Sequence, residues 1–223
     1  MNTSTKKHKK ITFAVFAHPD DEAFGPAGTL AKLSTTNDVY LLCATNGEKG
    51  KGPNNLSKIR QKELLASAKI LGIKKVFFLG FGDGTLNNSL YHKLAAKIEK
   101  LVKNLKPSTI ITYEPLGISG HIDHITVSLV TTYVAKKFSF IKKIMYHCVR
   151  FQEADAMRNY FIFHPPGFYK EQIDEVVNIS KEWEQKKQAI LCHKSQVADI
   201  NKILARLEKL PKEEYFLYSI KRG

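Results

Sequence analysis

From residue 11 onward the chain alternates short β-rich runs with longer runs of helical period, and no other feature restricts its fold as much. Strands are predicted at residues 11–17, 38–44, 75–80, 108–113 and 143–149, and helices at 22–34, 57–72, 88–105 and 122–137. The 57–72 helix shows its period in Ile59, Leu64, Leu65, Ala68 and Leu71, with Gly72 placed to cap it. Such alternation calls for a mostly parallel sheet with helices on both faces. The expected fold is therefore α/β and Rossmann-like, a single domain over residues 11–223. Near residue 150 the alternation stops. Residues 151–175 read as an irregular aromatic stretch, with Phe161, Phe163, Pro165, Pro166, Phe168 and Tyr169. It is suited either to shape a pocket wall or merely to connect. Helices near 180–191 and 196–209 and a strand within 215–220 complete an irregular C-terminal elaboration. Residues 1–10, with four lysines and no acid, read as a disordered basic tail.

Composition narrows the class of function. The 223 residues are 43% hydrophobic, enough for a substantial core, and carry a net charge of +14. A basic body favours anionic partners; the ordinary reading of such charge is a lysine-rich, soluble surface. No nucleic-acid-binding motif is present, so no nucleic acid partner is expected. No stretch approaches the ~20 apolar residues of a membrane span. The first apolar run is short and meets His18-Pro19-Asp20 without a small-residue cleavage site, unlike a signal peptide. Three cysteines (Cys43, Cys148, Cys192) without a C-x-x-C spacing argue against a disulfide framework or a zinc–cysteine site. A reducing cytoplasm is the expected location. A homo-oligomer is compatible with all of this.

The chemistry is concentrated in two clusters. The first strand empties into Ala17-His18-Pro19-Asp20-Asp21-Glu22, which puts one imidazole and three carboxylates at its carboxyl end. Ligands bind at that edge in open α/β sheets. Acids in a first helical turn are favoured by the helix dipole alone, by ~0.3–1 kcal/mol each. Adjacent carboxylates nevertheless repel unless a cation lies among them, and His18 and Asp21, three residues apart, can converge on one point as ordinary zinc donors. The second cluster, His121-Ile122-Asp123-His124, follows the strand at 108–113 and so reaches the same sheet edge. His121 and His124 share one face at the start of a helix. Two histidines and an aspartate at that edge point to a metal site.

The first cluster resembles the signature of the PIG-L/LmbE-like zinc deacetylases, which remove acetyl from N-acetylglucosamine-type sugars. The resemblance extends through Thr45-Asn46-Gly47-Glu48-Lys49-Gly50, Arg60-Gln61-Lys62-Glu63-Leu64, Leu79-Gly80-Phe81-Gly82-Asp83-Gly84 and Gly120-His121-Ile122-Asp123-His124. It ends in the segment from Lys187 to Gln196 that contains Ala189, His193 and Ser195, so it runs in order from residue 11 to about 196. Ile122 stands where proline is common in the family, at a position that is not a ligand. The resemblance implies that His18, Asp21 and His124 hold one Zn²⁺ per chain, with Fe²⁺ or Co²⁺ as substitutes that such a donor set also suits. It implies that Asp20 is the general base. His121, positioned by Asp123, would stabilise charge on the amide oxygen or aid departure of the amine. Arg60 and Asp83 are implied near the sugar or its aglycone, and Glu48 beside them. The ordinary alternatives are an Arg60–Glu63 ion pair on a helix surface, turn chemistry for Asp83 and a glycine-rich turn around Glu48. His193-Lys194-Ser195-Gln196 would brace the wall, and Trp183 would sit in the core.

The implied substrate is a small-molecule N-acetylated amino-sugar conjugate, with an anionic aglycone favoured by the basic body. A non-catalytic, metal-assisted sugar-binding protein is the alternative, which the presence of both Asp20 and His121 disfavours. A dinucleotide-binding protein would need a G-x-G-x-x-G after the first strand, and only Gly25 and Gly28 stand there. A two-metal phosphoesterase would need more bridging carboxylates.

Overall fold

The computed structural model describes residues 9–50, 52, 54–154 and 163–220. Most of the basic tail, and the 155–162 part of the aromatic stretch with Phe161, lie outside the described residues. In chain order the elements are β1 (Ile11–Phe16), α1 (Asp21–Phe24), α2 (Ala27–Ser34), β2 (Asp38–Thr45), α3 (Leu56–Ile70), β3 (Lys75–Phe81), α4 (Tyr91–Leu105) and β4 (Thr109–Tyr113). They continue with α5 (Gly117–Gly120), α6 (Ile122–Lys136), β5 (Lys143–Cys148), α7 (Phe151–Ala154), β6 (Glu175–Asn178), α8 (Trp183–Leu191), α9 (Val197–Leu207) and β7 (Glu213–Ile220).

The seven strands form one sheet in the order β3-β2-β1-β4-β5-β7-β6. The first five are parallel, as expected; β7 runs antiparallel to both β5 and β6. Successive side chains of a strand point to opposite faces. Thus Phe13 and Val15 of β1 join a core with Ile98 and Val102 of α4 and Val127 and Val134 of α6. Ala14 and Phe16 face Leu30 of α2 and Leu64 of α3 on the other side. All four β1 residues are buried, which is why β1 reads as a continuous apolar run.

Two predictions are corrected. The helix expected at 22–34 is two helices, because Gly25 and Pro26 interrupt it: proline lacks the amide that would continue the ladder. The stretch 151–175 is not wholly irregular, since it contains α7 and reaches β6. The C-terminal elaboration closes onto the main body through α8 and α9, whose Ala189, Ile190 and Ile200 pack with Ala23, Ala27 and Ala31. Gly28 is required here, because a Cβ would lie 2.7 Å from the Ile179 side chain. The β7 residue Glu214 accepts hydrogen bonds from the Gly28 and Thr29 amides at 2.9 and 2.7 Å, an anion at the start of α2. Lys186 of α8, buried, pairs with the same carboxylate at 2.7 Å and donates to the Gly25 carbonyl.

The strand order reverses direction at β1, whose neighbours β2 and β4 lead the chain to opposite sides. The crevice at the carboxyl ends of β1 and β4 is therefore the topological switch point, where ligands bind in sheets of this kind.

Candidate active site

The two sequence clusters meet in this crevice. His18 and Asp21 follow β1, and His121 to His124 open α6 after β4. His18 Nδ1 lies 3.0 Å from His124 Nε2, His124 Nε2 lies 3.3 Å from Asp21 Oδ1, and the donor atoms of the three residues all fall within 4.8 Å of one another.

The surroundings prepare these atoms for a cation. His18 Nε2 faces the Asp83 and Asp123 carboxylates at 3.1 and 3.2 Å, which favours its proton there and turns the Nδ1 lone pair inward. His124 Nδ1 faces the Gly117 carbonyl at 3.1 Å, which leaves the Nε2 lone pair inward too. Two imidazole lone pairs at 3.0 Å repel unless a proton or a metal lies between them, so the donor set fits a divalent cation. Asp21 Oδ2 is held by the Ala17 and His18 amides at 2.9 and 2.8 Å, leaving Oδ1 toward the histidines. Burial disfavours the charged forms of His18 and Asp21. The hydrogen bonds of Asp123 and Asp83 nevertheless carry the metal-free His18 up to about 10, and His124 and His18 hold the Asp21 carboxyl well below the usual range. A metal entering here displaces protons. A second grouping of His18, Asp83, His121 and Asp123 also has its ligand atoms within 4.8 Å. Its carboxylates are already engaged, Asp83 by the Lys49 amide and Asp123 by the Gly84 and Leu86 amides.

Asp20 sits between strand and helix with φ 133° and ψ −21°, a backbone region that costs a non-glycine residue about 1–3 kcal/mol. Its surroundings over-determine it. The Ala23 and Phe24 amides donate to its carbonyl, its own amide donates to Glu22 Oε2, and Arg60 Nη2 pairs with Oδ2 at 2.8 Å. Buried Arg60 also donates to the carbonyls of Pro19 and Gly47. Gly47 has φ +66°, and a Cβ there would come within 2.7 Å of the guanidinium. The Arg60–Glu63 pair considered from the sequence does not form: Glu63 instead accepts from the Ser195 amide and hydroxyl. Burial pushes Asp20 up to about 6, against the opposing pull of Arg60.

Asp123, expected beside His121, reaches it through its amide, which donates to His121 Nδ1 at 3.0 Å; its carboxylate faces His18. That amide leaves the proton of a neutral His121 on Nε2. Burial and the nearby His18 and His124 lower His121 to about 4, which favours its neutral imidazole. Glu48 is exposed and accepts from the Asp83 amide at 2.9 Å, which orders the loop carrying Asp83. His193, fully buried, faces Glu22 Oε1 at 2.8 Å behind Asp20. Trp183 is only partly buried, with Lys212 over its ring.

His18, Asp20, Asp21, Arg60, Asp83, His121 and His124 line one end of a cavity of about 900 Å³. Its other wall contains residues that sequence reasoning missed: His147 at the end of β5 and a face of α9 with Asp199, Lys202, Ile203 and Arg206. The spacing of three, four and seven along α9 was the available signal, one helix face that carries charge.

Comparison with known proteins agrees with this architecture. The family model described as PIG-L, GlcNAc-PI de-N-acetylase, matches residues 13–135. A probable N-acetyl-α-D-glucosaminyl L-malate deacetylase 2 from Bacillus anthracis is 29% identical over 233 residues, covering 96% of this chain and 98% of that protein. The structure of N,N′-diacetylchitobiose deacetylase from Pyrococcus horikoshii superposes with a TM-score of 0.75 at 21% identity, covering 95% of this chain and 84% of that one. GalB, the 4-carboxy-2-hydroxymuconate hydratase from Pseudomonas putida KT2440, superposes with a TM-score of 0.70 at 16% identity, covering 96% and 98%. These structural likenesses show the fold alone, and the hydratase among them shows why fold cannot choose the reaction. The family match spans more than half of the chain and includes both His-Asp clusters, so this chain belongs to the PIG-L/LmbE family.

Proposed function

We propose that the protein is a metal-dependent N-deacetylase acting on an N-acetylglucosamine-type sugar conjugate, with zinc as the metal. The observation that carries this reading is the convergence of His18 Nδ1, His124 Nε2 and Asp21 Oδ1 one residue from a strained, partly protonatable Asp20 on the same cavity wall. Zinc held by these three groups would supply a Lewis acid that polarises the acyl carbonyl and lowers the pKa of a water. Fe²⁺ or Co²⁺ would serve the same donors.

The chain's own residues supply the rest. Asp20, with a pKa of about 6, is ionised at neutral pH and still basic enough to take a proton from the attacking water. Arg60 fixes its Oδ2 and so aims the carboxylate. His121 donates from Nε2 to the acyl oxygen as negative charge develops there. Protonated Asp20 then returns the proton to the amine nitrogen as the C–N bond breaks, giving acetate and the free amino sugar. Asp83 and Asp123 keep His18 in its ligating tautomer, and Glu48 orders the Asp83 loop.

Acetate release from a panel of N-acetylglucosamine conjugates tests the proposal, using native, metal-stripped and zinc-restored protein and Asp20→Asn. Release that needs metal and is lost in Asp20→Asn supports it. Stoichiometric zinc without release from any conjugate would overturn it in favour of a sugar-binding protein.

A further inference from the structure

The wall opposite the His-Asp cluster poses a problem of its own. Arg206 lines the cavity half-buried, yet among the described residues its guanidinium has no hydrogen-bond or ion-pair partner. The acids near it are otherwise placed. Glu153 acts on it electrostatically, but Glu153 Oε1 already holds Arg150 through Nε and Nη2, both at 2.7 Å. Asp199 stands two turns earlier on the same face of α9 and forms no ion pair with Arg206. Burial depresses the Arg206 pKa below its ordinary value, the mark of a desolvated and under-compensated charge.

A second, independent feature lies beside it. His147 is 93% buried, lines the same cavity and leaves its Nδ1 without a hydrogen-bond partner. It is close enough to Arg206 for that charge to act on it, and its ring is 6.1 Å from Tyr113, whose ring in turn is 4.9 Å from His124. The unpartnered guanidinium and the open Nδ1 of His147, whose ring also hydrogen-bonds the Tyr215 backbone, therefore sit beyond the proposed metal ligands on the side of β4 and β5. Lys202, one turn before Arg206, adds an exposed positive charge at the same wall.

We infer that Arg206 and His147, with Lys202 at the rim, form a subsite for an anionic group, a carboxylate or a phosphate, on the aglycone of the substrate. This rests on the deacetylase reading and deepens it: the amide reacts at the His-Asp end, and the part hanging from the sugar is read by α9. A guanidinium forks onto either anion, and an uncharged aglycone would leave the desolvated charge uncompensated.

The test compares native protein with Arg206→Gln and Arg206→Lys on three substrates. These are N-acetylglucosaminyl L-malate, a phosphate-bearing N-acetylglucosaminide, and methyl N-acetylglucosaminide. Arg206→Gln should raise KM at least tenfold for one or both anionic substrates and leave the methyl glycoside within twofold. Arg206→Lys should recover part of the loss. The anion with the larger loss identifies the preferred ligand. Hydrolysis of the methyl glycoside with no selective loss for either anion would overturn the subsite while the deacetylase reading stands. Should no substrate release acetate, that reading fails. Calorimetric binding of the amine product glucosaminyl L-malate, set against methyl glucosaminide, then decides the subsite alone: a selective tenfold weakening in Arg206→Gln supports it, and equal binding by native and variant overturns it.

Discussion

The two ends of the sheet hold their charges in opposite ways. At the amino end, Lys9, Lys10, Lys74, Lys75, Lys106 and Lys142 stand exposed around the starts of β1, β3, β4 and β5. At the carboxyl end, His18, Asp21, Asp83, Glu114, Asp123 and His147 are all buried. Lysine near helix C-termini is favoured modestly and is screened by salt. Desolvated carboxylates and imidazoles are held only by explicit partners, and their pKa values move: Asp20 to about 6, His147 to about 4. Charge count thus says little about where chemistry happens; the number of fixed partners per charge says more.

The comparison is sharpened first by Asp20→Asn. This change should lower acetate release by roughly 10²–10⁴-fold while zinc content stays stoichiometric; retained turnover would remove Asp20 from the reaction. Next is Lys186→Met, which leaves Glu214 buried without its cation. A loss of about 3–5 kcal/mol in urea unfolding is expected, and a loss near zero would mean that the Gly28 and Thr29 amides suffice for Glu214. Third, Asp123→Asn, which removes one of the two carboxylates on the His18 ring, should weaken zinc binding about 10–100-fold without unfolding the chain; competition with a chelator measures it. A smaller effect is expected for His193. Burial lowers its pKa, but Glu22 outweighs this and raises it above 6.5. The stabilisation is therefore complete below pH 6.5 and is lost as pH climbs through the raised folded value. The stability difference between native protein and His193→Gln should shrink toward alkaline pH; a difference that grows there would reverse the assignment. Last, Lys74→Ala, which removes an exposed pair with Asp38, should leave the melting temperature unchanged.

The parallel half of the fold was legible because β1, β2 and β4 are short apolar runs and α3, α4 and α6 keep helical period between them. The two His-Asp clusters were legible because each is compact: His18, Asp20 and Asp21, like His121, Asp123 and His124, fall within four residues and survive any error of a residue or two in an element boundary. What could not be read depends on partners far apart in sequence. Lys186 and Glu214 are separated by 28 residues, and each alone looks like a surface charge. Arg60 pairs with Asp20 across 40 residues rather than with Glu63, because Gly47 lets the chain approach its guanidinium. His147 is a lone histidine among the apolar residues that end β5, a pattern equally common in cores. β6 has four residues and gains its identity only by pairing with β7.

That pairing has a consequence for how the molecule is assembled as it is synthesised. β7 lies between β5 and β6, yet it is made more than sixty residues after β5. Until then the growing chain presents β5 as an open edge, with Lys143 to Cys148 unpaired on one side. The proposed metal ligands, complete by His124, exist well before the wall of α9 that encloses them. A nascent chain thus has an interval in which the proposed metal ligands have been made without the wall that encloses them, while the β5 edge is open to pairing with a stranger. Cover of that edge during the interval, as well as the stability of the finished protein, would set how much of the chain escapes aggregation.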